Sequence, residues 1–261
     1  MSIPSVMIVL PTLGERLPSL ELALDSCSSI PTNISATVFL VSPSQATKAR
    51  ALGATYGAVI VEDPGSGMAG AINAAVQAGG NYSYYVWLGD DDLVVGEGIA
   101  LAIAALEQDS QAVVAHGHCD YIDEDGHSIA LNRAGKVAEF LLPWGPNLIP
   151  HPGTVIRLDA LRRVGGFSLG YSYALDLDVF LRLRKQGRFL AVPAVTARFR
   201  WHPNSLTVAD RRASSREAMA IKSRHLPGWL RWASPLWHQP VAWASAFAAR
   251  KLNGRALKGK A

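Results

Sequence analysis

A run of aromatic and apolar residues, Tyr84-Tyr85-Val86-Trp87-Leu88, leads directly into Gly89-Asp90-Asp91-Asp92. An uninterrupted apolar run of this length is typical of a strand that is buried on both faces of a sheet. Three adjacent carboxylates repel one another at the end of such a strand, and a divalent cation with oxygen ligands would relieve that repulsion. The alternative is an acidic turn that is simply solvated.

The same alternation of buried strand and helix extends over the first half of the chain. Apolar runs predict strands over residues 6–10, 36–41, 58–61, 84–88 and 112–116, and helical spacing lies between them over 17–27, 45–52, 67–78 and 98–106. This order predicts the α/β class, with a mostly parallel central sheet and flanking helices. Because ligands bind beyond the carboxyl ends of the strands in such sheets, the loops of interest are 11–16, 42–44, 62–67 and 89–93.

The second half of the chain mixes short strands, turns and helices. Residues 119–122 and 128–131 flank the turn Asp123-Glu124-Asp125-Gly126 and predict a hairpin. A loop rich in proline and glycine follows over 133–152, and a short strand over 154–157. The pattern then predicts a helix over 160–164 capped by Asp159, a helix over 173–186, and two strands over 189–192 and 194–201.

A second pair of acids, Asp176 and Asp178, begins the helix predicted over 173–186. On a helix these two side chains point about 200° apart, so only one of them is expected to face a site. One carboxylate is a candidate general base, and the other is a candidate partner of Arg182 at i+4. The alternative is that both acids only interact with the helix dipole.

Three further features are weaker candidates. Gly65-Ser66-Gly67 opens a helix of small residues and is a candidate phosphate cradle, although it lacks the P-loop pattern. His202 follows the last predicted strand and is a candidate metal or phosphate ligand, and His151 is a candidate pocket residue. A purely structural role is the alternative for both histidines.

The charge of the chain is unevenly distributed. Its 261 residues carry a formal net charge of +4, but residues 1–217 hold 17 Lys and Arg against 21 Asp and Glu, whereas residues 218–261 hold 8 and none. A mildly acidic body with a basic appendage disfavours a nucleic-acid-binding protein, so no nucleic-acid partner is expected.

Hydrophobic residues make up 49% of the chain, enough to bury a full core. The two cysteines predict no disulfide framework, and the N-terminus predicts no secretory leader.

The C-terminal segment is rich in tryptophan. Residues 226–261 contain four of the seven tryptophans, and no charged residue lies between positions 232 and 249. Prolines interrupt this uncharged run, so we expect an amphipathic helical tail at a membrane surface, with tryptophan at headgroup depth, rather than a membrane span. The alternatives are a helix packed on the catalytic domain and a dimer contact.

Taken in order along residues 4–208, these motifs resemble the family 2 glycosyltransferases of GT-A fold. The first half carries Val9-Leu10-Pro11-Thr12, Gly67 to Asn73, and Trp87 to Leu93, which are similar to the opening strand, the Gly/Ala/Asn helix and the DxD-type metal motif of that family. The segment Asp120 to Gly126 is similar to one common in its bacterial members. The second half carries segments similar to its acceptor half and closing motif: His151 to Thr154, Gly165 to Phe167, Ala174 to Asp178 with Leu181 to Leu183, and Arg200 to Ser205.

The resemblance implies roles for particular residues. Asp90 and Asp92, with His202, would hold Mg²⁺ or Mn²⁺ on a nucleotide diphosphate, and Asp176 would be the base that takes the proton from the acceptor hydroxyl. His151 and Asp178 would lie on the acceptor side. Contacts with the nucleotide sugar are implied for Pro11, Thr12, Glu15, Ser42, Asp63, Gly67, Asn73 and Asp91. Two positions depart from the family, since Ser42 stands where many members have Asp and Leu175 stands where many have Glu.

The implied function is the metal-dependent inverting transfer of a hexose from a nucleotide-diphosphate sugar to an acceptor hydroxyl. The acceptor would be a saccharide or a lipid-linked molecule, in cell-surface polysaccharide or glycolipid synthesis at the inner, cytoplasmic face of the membrane. The catalytic domain would cover 1–217, with a nucleotide-sugar half (1–118) and an acceptor half (119–217), and the basic tail would cover 218–261. The alternatives are a non-catalytic glycosyltransferase-like binding subunit and a sugar-phosphate nucleotidyltransferase.

Overall fold

The computed structural model describes residues 3–133, 135–201, 211–226 and 228. In the first half, strands and helices alternate as the sequence predicts, except for one additional short strand at residues 93–94. The strands are β1 (Ser5–Pro11), β2 (Ser35–Ser42), β3 (Val59–Glu62), β4 (Tyr84–Trp87) and β5 (Leu93–Val94). The helices are α1 (Leu17–Cys27), α2 (Thr47–Thr55), α3 (Gly67–Ala78) and α4 (Gly96–Gln108).

The second half begins with the predicted hairpin and ends in a long helix. Its strands are β6 (Ala112–Ile122), β7 (Ser128–Asn132), β8 (Val155–Arg157) and β9 (Arg188–Arg200). Its helices are α5 (Val137–Leu141), α6 (Leu158–Arg163), α7 (Leu175–Leu183) and α8 (Arg211–His225).

The strands of the described chain form one nine-stranded sheet in the order β3-β2-β1-β4-β8-β6-β9-β5, with β7 paired to β6. Strands β1 to β4 are joined by parallel pairings, and β6 pairs in parallel with β9. Strand β8 lies antiparallel between β4 and β6, so that β1, β2, β3, β4, β6 and β9 all point in the same direction. The predicted α/β fold with a mostly parallel central sheet is therefore confirmed.

Alternate residues of β1 face two separate apolar layers, because successive side chains of a strand point to opposite faces of its sheet. Met7 and Val9 belong to a core that includes residues of α3, α6, α7 and α8. Val6, Ile8 and Leu10 belong to a second core that includes residues of α1, α2 and α4. Helices thus cover both faces, and the carboxyl ends of β1, β2 and β4 share one edge of the sheet.

Two strands are longer than the sequence indicates. The run predicted to break near residue 117 is continuous in β6, and the runs predicted over 189–192 and 194–201 are joined in β9. These two strands pair with an irregular register, in which His116 opposes Ala191 and His118 opposes Val195. Pro193 falls inside that irregularity, so its missing N–H removes no bond from a regular ladder.

Two helices also differ from the prediction at their N-termini. Helix α6 begins at Leu158, so Asp159 lies within its first turn instead of capping it. Helix α7 begins at Leu175 and not at residue 173, and it ends at Leu183. The backbone just before α7 is bound by a side chain from α8, a contact that local sequence does not reveal.

Helix α8 is continuous across residue 217, the predicted end of the catalytic domain. Ile221 and Lys222 in its second half are buried, so this part of the helix packs on the domain. The tail predicted over 226–261 lies outside the described residues, apart from Leu226 and Gly228. None of the helices in the described part of the chain combines the length and apolar character needed to cross a membrane.

Candidate active site

The loops that follow β1 and β4 meet beside the first acid of the Asp90-Asp91-Asp92 motif. The backbone N–H of Thr12 donates to the carbonyl oxygen of Val41 at 2.9 Å, and its hydroxyl donates to Asp90 Oδ2 at 2.7 Å. Thr12 and Asp90 are both buried. The carboxyl ends of β1, β2 and β4 thus come together, as expected for an α/β sheet.

A guanidinium group spans two of the three acids. Arg16 Nη2 lies 2.5 Å from Asp90 Oδ1, and Arg16 Nη1 donates to Asp91 Oδ2. The Arg16 side chain is 51% exposed, so these ion pairs contribute little to stability and break easily. Arg16 therefore offsets part of the negative charge of the motif, and its exposed side chain can move away from the two acids.

Asp92 is the most enclosed acid of the motif, with only 1% of its surface exposed. Its Oδ1 accepts the backbone N–H of Arg200 at 2.9 Å, while its Oδ2 is buried without a hydrogen-bond partner among the described residues. Burial, followed by repulsion from Asp91, raises the pKa of Asp92 well above its ordinary value, and burial also raises the pKa of Asp90. A cation beside these groups would favour their ionised forms.

The backbone of the acidic loop is held by Arg200, a buried residue at the end of β9. Its Nε donates to the carbonyl oxygen of Asp91 at 3.0 Å, and its Nη1 donates to those of Asp123 and Glu124 at 2.9 and 2.6 Å. One side chain thus fixes the acidic loop to the turn between β6 and β7. His202, predicted as a metal ligand, lies two residues further on and outside the described residues.

The acids of the motif suit a hard divalent cation. Asp90 and Asp92 supply carboxylate oxygens, and the unpartnered Oδ2 of Asp92 is a buried atom that such an ion would satisfy.

A second group of possible ligands, Asp123, Asp125 and His127, has atoms within 4.8 Å of one another in the β6–β7 turn. There Asp123 Oδ1 accepts the backbone N–H groups of Asp125 and His127 at 3.0 and 2.8 Å. Those bonds shape the turn, and the Asp-x-Asp-x-His spacing is the sequence signal for this group.

Stacked rings connect the acidic loop to α7. Trp87 at the end of β4 stacks on His151, with ring centroids 4.6 Å apart and an interplanar angle of 6°, and His151 meets Phe180 edge-on at 6.1 Å. Burial lowers the pKa of His151 to about 3, so its imidazole is neutral at physiological pH. Phe180 lies one helical turn beyond Asp176 on the same face of α7. Asp176 therefore projects from the face of α7 that is turned toward the stack.

Asp176 combines a fixed carboxylate with a raised pKa. The Nδ2 of Asn147, in the loop before β8, donates to Asp176 Oδ2 at 2.9 Å. Burial raises the pKa of Asp176 to about 6, and the nearby Glu217 carboxylate adds a smaller contribution in the same direction. A carboxyl group with a pKa close to neutrality is suited to proton transfer. The environment of Asp176 is thus consistent with the role of base that the resemblance implies.

Asp178 faces away from Asp176, as the helical geometry predicts. Its Oδ2 accepts bonds from Arg182 Nε and Nη2 at 2.9 and 2.6 Å, and its Oδ1 lies 3.5 Å from His225 Nε2. Burial alone would raise the pKa of Asp178, but the contacts with His225 and Arg182 outweigh it and lower that pKa. Arg182 also donates to the carbonyl oxygens of Val164 and Gly166 at 2.6 and 2.8 Å. The pair therefore fastens α7 to the turn after α6, and an acceptor-side role of Asp178 stays a prediction.

Asn73 on α3 bridges the two halves of the chain. Its Nδ2 donates to the carbonyl oxygen of Phe167 at 2.7 Å, and its Oδ1 accepts the backbone N–H of Phe167 at 2.9 Å. Gly166 precedes this contact with a φ of +70°, and a Cβ there would lie 2.5 Å from Asn73 Oδ1. Both polar groups of the Asn73 side chain thus have backbone partners, and its contact with a nucleotide sugar stays a prediction.

The remaining residues predicted to bind the donor lie at the same edge of the sheet or close to it. Pro11 ends β1, and Ser42 ends β2 with a buried hydroxyl that has no partner among the described residues. Asp63 Oδ1 accepts a backbone N–H from the turn before α3 at 2.9 Å, and Gly67 begins α3 with a φ of +80°. Glu15 is exposed in the loop after β1.

Four residues of this site were not predicted as site residues. Arg16 and Arg200 carry weak signals, as a base shortly after the first strand and as an arginine in an otherwise apolar strand. Asn147 and Glu217 carry none, because each reaches α7 from a segment at least 29 residues away from its partner.

Solved structures share this arrangement of sheet and helices. The mannosyltransferase PcManGT from Pyrobaculum calidifontis, in complex with GDP-Man and Mn²⁺, matches with a TM-score of 0.66 and 19% sequence identity over 96% of this chain and 76% of that chain. This is a glycosyltransferase fold. S. aureus TarS 1–349, in complex with UDP-GlcNAc, matches with a TM-score of 0.63 and 12% identity over 85% of this chain and 66% of that chain.

The sequence of this chain has little identity with those of the structures that share its fold. The chain spans 39% of the full S. aureus TarS chain, to which it is 13% identical with a TM-score of 0.60. A comparison with protein-family models finds no match, and a comparison with curated proteins finds none either. The expected fold is therefore confirmed through the arrangement of strands and helices and not through sequence identity.

Proposed function

We propose that the protein is a metal-dependent inverting glycosyltransferase that moves a hexose from a nucleotide-diphosphate sugar to an acceptor hydroxyl. The observation that carries the proposal is that stacked rings connect two segments bearing carboxylates within a glycosyltransferase fold. Asp90 and Asp92 follow β4, and Asp176 projects from α7 on the face that meets the stack of Trp87 and His151. A leaving group and an acceptor placed between them would have a cation site on one side and a base on the other.

Asp90 and Asp92 would hold Mg²⁺ or Mn²⁺ in this proposal. Thr12 fixes the first carboxylate and the backbone N–H of Arg200 fixes the second. When bound, the ion supplies positive charge that stabilises the leaving diphosphate. The Mn²⁺ in the PcManGT structure supports the presence of a divalent cation in this proposal.

Asp176 would accept the proton of the attacking hydroxyl. Inversion needs only a single displacement, in which a base on the acceptor side acts while the diphosphate leaves from the opposite side, so no covalent nucleophile is required. Asn147 orients the Asp176 carboxylate, and burial keeps its pKa, at about 6, high enough to bind the proton yet low enough to be ionised at neutral pH.

The donor and acceptor are assigned by class. A uridine or guanosine diphosphate sugar is supported by the UDP-GlcNAc and GDP-Man complexes of the structural neighbours. The loops after β1, β2 and β4 would bind it, with Asp91 near the ribose or the sugar. The acceptor would be a saccharide or a lipid-linked molecule of cell-surface polysaccharide or glycolipid synthesis.

Thermal unfolding with a panel of nucleoside diphosphates, with and without Mn²⁺, tests the donor site, because ligands that bind the native state raise its midpoint. We expect one nucleotide to raise the Tm only when Mn²⁺ is present. Asp92→Asn should abolish the Mn²⁺-dependent rise in Tm, since it removes a charge without changing the shape of the side chain. No shift with any nucleotide in the folded protein would overturn the proposal.

Asp125→Asn is the matched control, because it removes one carboxylate from the other group of possible ligands. We expect it to leave the Mn²⁺-dependent shift unchanged. If Asp125→Asn abolished the shift and Asp92→Asn preserved it, the metal would belong to the β6–β7 turn and the assignment to Asp90 and Asp92 would be wrong.

Hydrolysis of the donor tests the base and separates an enzyme from a binding subunit. Wild type should release the nucleoside diphosphate slowly, and Asp176→Asn should lower that rate at least about a hundredfold while keeping the nucleotide-dependent Tm shift. Binding without hydrolysis or transfer in wild type would favour the non-catalytic alternative.

Peripheral contact with a membrane is a separate part of the proposal and depends on residues 226–261. This segment combines its four tryptophans with bases and has no acid, a composition suited to an anionic lipid surface. The full chain should sediment with phosphatidylglycerol vesicles and much less with phosphatidylcholine vesicles. Replacing Arg250, Lys251, Arg255, Lys258 and Lys260 by glutamine should abolish the difference, and equal sedimentation before and after that change would contradict the assignment.

A further inference from the structure

The start of α7 is capped by a side chain from a distant helix. Glu217 on α8 accepts the backbone N–H groups of Tyr173 and Ala174 with Oε1, both at 2.7 Å, and that of Ser172 with Oε2 at 3.0 Å. The N–H groups just before and at the start of a helix have no intrahelical partners, so they need partners from elsewhere in the protein. Ala174 immediately precedes α7, and its methyl side chain cannot accept a hydrogen bond. Glu217 therefore caps α7 from a distance by holding the three residues that lead into it, and its charge also suits the positive end of the helix dipole.

The capped backbone lies immediately before the proposed base. Asp176 is the second residue of α7, two positions after Ala174. A displacement of residues 172–174 would therefore move the Cα of Asp176 and change the direction of its carboxylate. Asn147 restrains only one oxygen of that carboxylate, so the backbone on the N-terminal side needs its own restraint.

Helix α8 is itself held in place by residues that follow Glu217. Ile221 is fully buried, Lys222 Nζ donates to the carbonyl oxygen of Gly145, and Arg224 Nη1 donates to the Tyr171 hydroxyl at 2.8 Å. Glu217 lies one turn before Ile221 and on the same face of the helix. The capping carboxylate is thus carried by a fixed helix and presented at a defined position.

We propose that Glu217 is a positioning residue for Asp176, acting through the backbone at the start of α7. This inference rests on the proposed function, in which Asp176 is the base. Glu217 contacts neither substrate nor the reacting atoms, and it sets where the base stands when the acceptor hydroxyl attacks. A misplacement of about 1 Å is enough to lower a rate about a hundredfold, so the contact affects turnover more than donor binding.

Donor hydrolysis by Glu217→Gln, Glu217→Asp and Glu217→Ala tests the proposal. The amide of Gln keeps an acceptor oxygen for Tyr173 and Ala174 but loses the second oxygen and the charge, so we expect kcat to fall about tenfold with the donor KM within about twofold. Asp withdraws the carboxylate by one methylene and Ala removes it, so both should lower kcat about a hundredfold. Glu139→Gln is the matched control, because Glu139 pairs at 3.9 Å with Arg184 beyond the other end of α7, and it should turn over like wild type.

Hydrogen exchange of the peptide covering residues 171–177 provides a readout that does not require activity. We expect faster exchange there in Glu217→Gln than in wild type and no change in Glu139→Gln. Unchanged exchange would overturn the capping contact, and faster exchange with wild-type kcat would overturn the positioning role. If wild type hydrolyses no donor, or if Asp176→Asn keeps full turnover, it is the proposed function that fails, and the exchange result still decides whether Glu217 caps α7.

Discussion

Replacing Arg182 by methionine removes the charged group that fastens α7 to the turn after α6. The change deletes two bonds to Asp178 and two to the carbonyl oxygens of Val164 and Gly166. It leaves a carboxylate whose side chain is only 7% exposed. Breaking a buried ion pair costs about 3–5 kcal/mol, and because Arg182 is 23% exposed we expect the lower end, about 3 kcal/mol. In a chain of this size 1 kcal/mol corresponds to about 2–4 °C, so the Tm should fall by roughly 6–12 °C.

Urea unfolding of Arg182→Met, Asp178→Asn and the double variant, followed by circular dichroism, measures the coupling within the pair. The double variant no longer contains the buried carboxylate, so it should be more stable than the sum of the single effects by about 1 kcal/mol or more. Single effects that add to within about 0.5 kcal/mol would refute the ion pair as the cause of the loss.

The pH dependence of the same variants provides an independent check. The folded pKa of Asp178 is lowered, so its ionised form contributes stability that is present above its unfolded pKa of about 4 and is lost as the pH falls through the folded value. Without Arg182 that contribution is smaller, because only the contact with His225 still lowers the pKa of Asp178. The difference in the free energy of unfolding between wild type and Arg182→Met should therefore shrink on acidification. A difference that stays constant between about pH 7 and pH 4 would contradict the mechanism.

Three further outcomes follow from the site. Turnover of wild type should rise with pH through about 6 and level off above it, because Asp176 accepts a proton only when ionised, and a rate profile without that inflection would exclude Asp176 as the base. Arg16→Met should tighten Mn²⁺ binding up to about fivefold in a calorimetric titration, since exposed ion pairs worth up to about 1 kcal/mol no longer compete for the carboxylates, and weaker binding would contradict this. Asn73→Ala should lower the free energy of unfolding by about 2 kcal/mol, at about 1 kcal/mol for each bond to Phe167, and leave the nucleotide-dependent Tm shift unchanged. The opposite pattern would make Asn73 a contact of the donor.

The order of strands and helices in the first half could be predicted because each element carries its own signal. β1 and β4 are uninterrupted apolar runs, and the helices between them repeat apolar residues at helical spacing. The strand after α5 was also predicted, but its place was not. A three-residue segment such as β8 contains no information on which neighbours it pairs with, and its antiparallel insertion between β4 and β6 depends on the whole sheet.

Within the candidate site too, residues that belong to a local sequence pattern could be predicted, and residues that act through distant contacts could not. Asp90, Asp92 and Asp176 could be found because acids at a strand end and in the first turn of a helix are local patterns. The opposed directions of Asp176 and Asp178 followed from helical geometry, and the predicted pair with Arg182 is confirmed. The supporting residues Asn147 and Glu217 could not be found, because their roles consist entirely of contacts with distant segments.

The bridge from Asn73 to Phe167 sets a condition for building chimeric enzymes from this scaffold. Grafting residues 119–217 into a related protein would separate the two partners, since Asn73 lies before the junction and Phe167 after it. A recipient without an amide at the position of Asn73 would strand the N–H and the carbonyl of Phe167 and loosen the turn that Arg182 also holds. Recipients for such grafts are therefore best chosen for an asparagine at the position of Asn73 in α3. Introducing an asparagine there would rescue recipients that carry another residue.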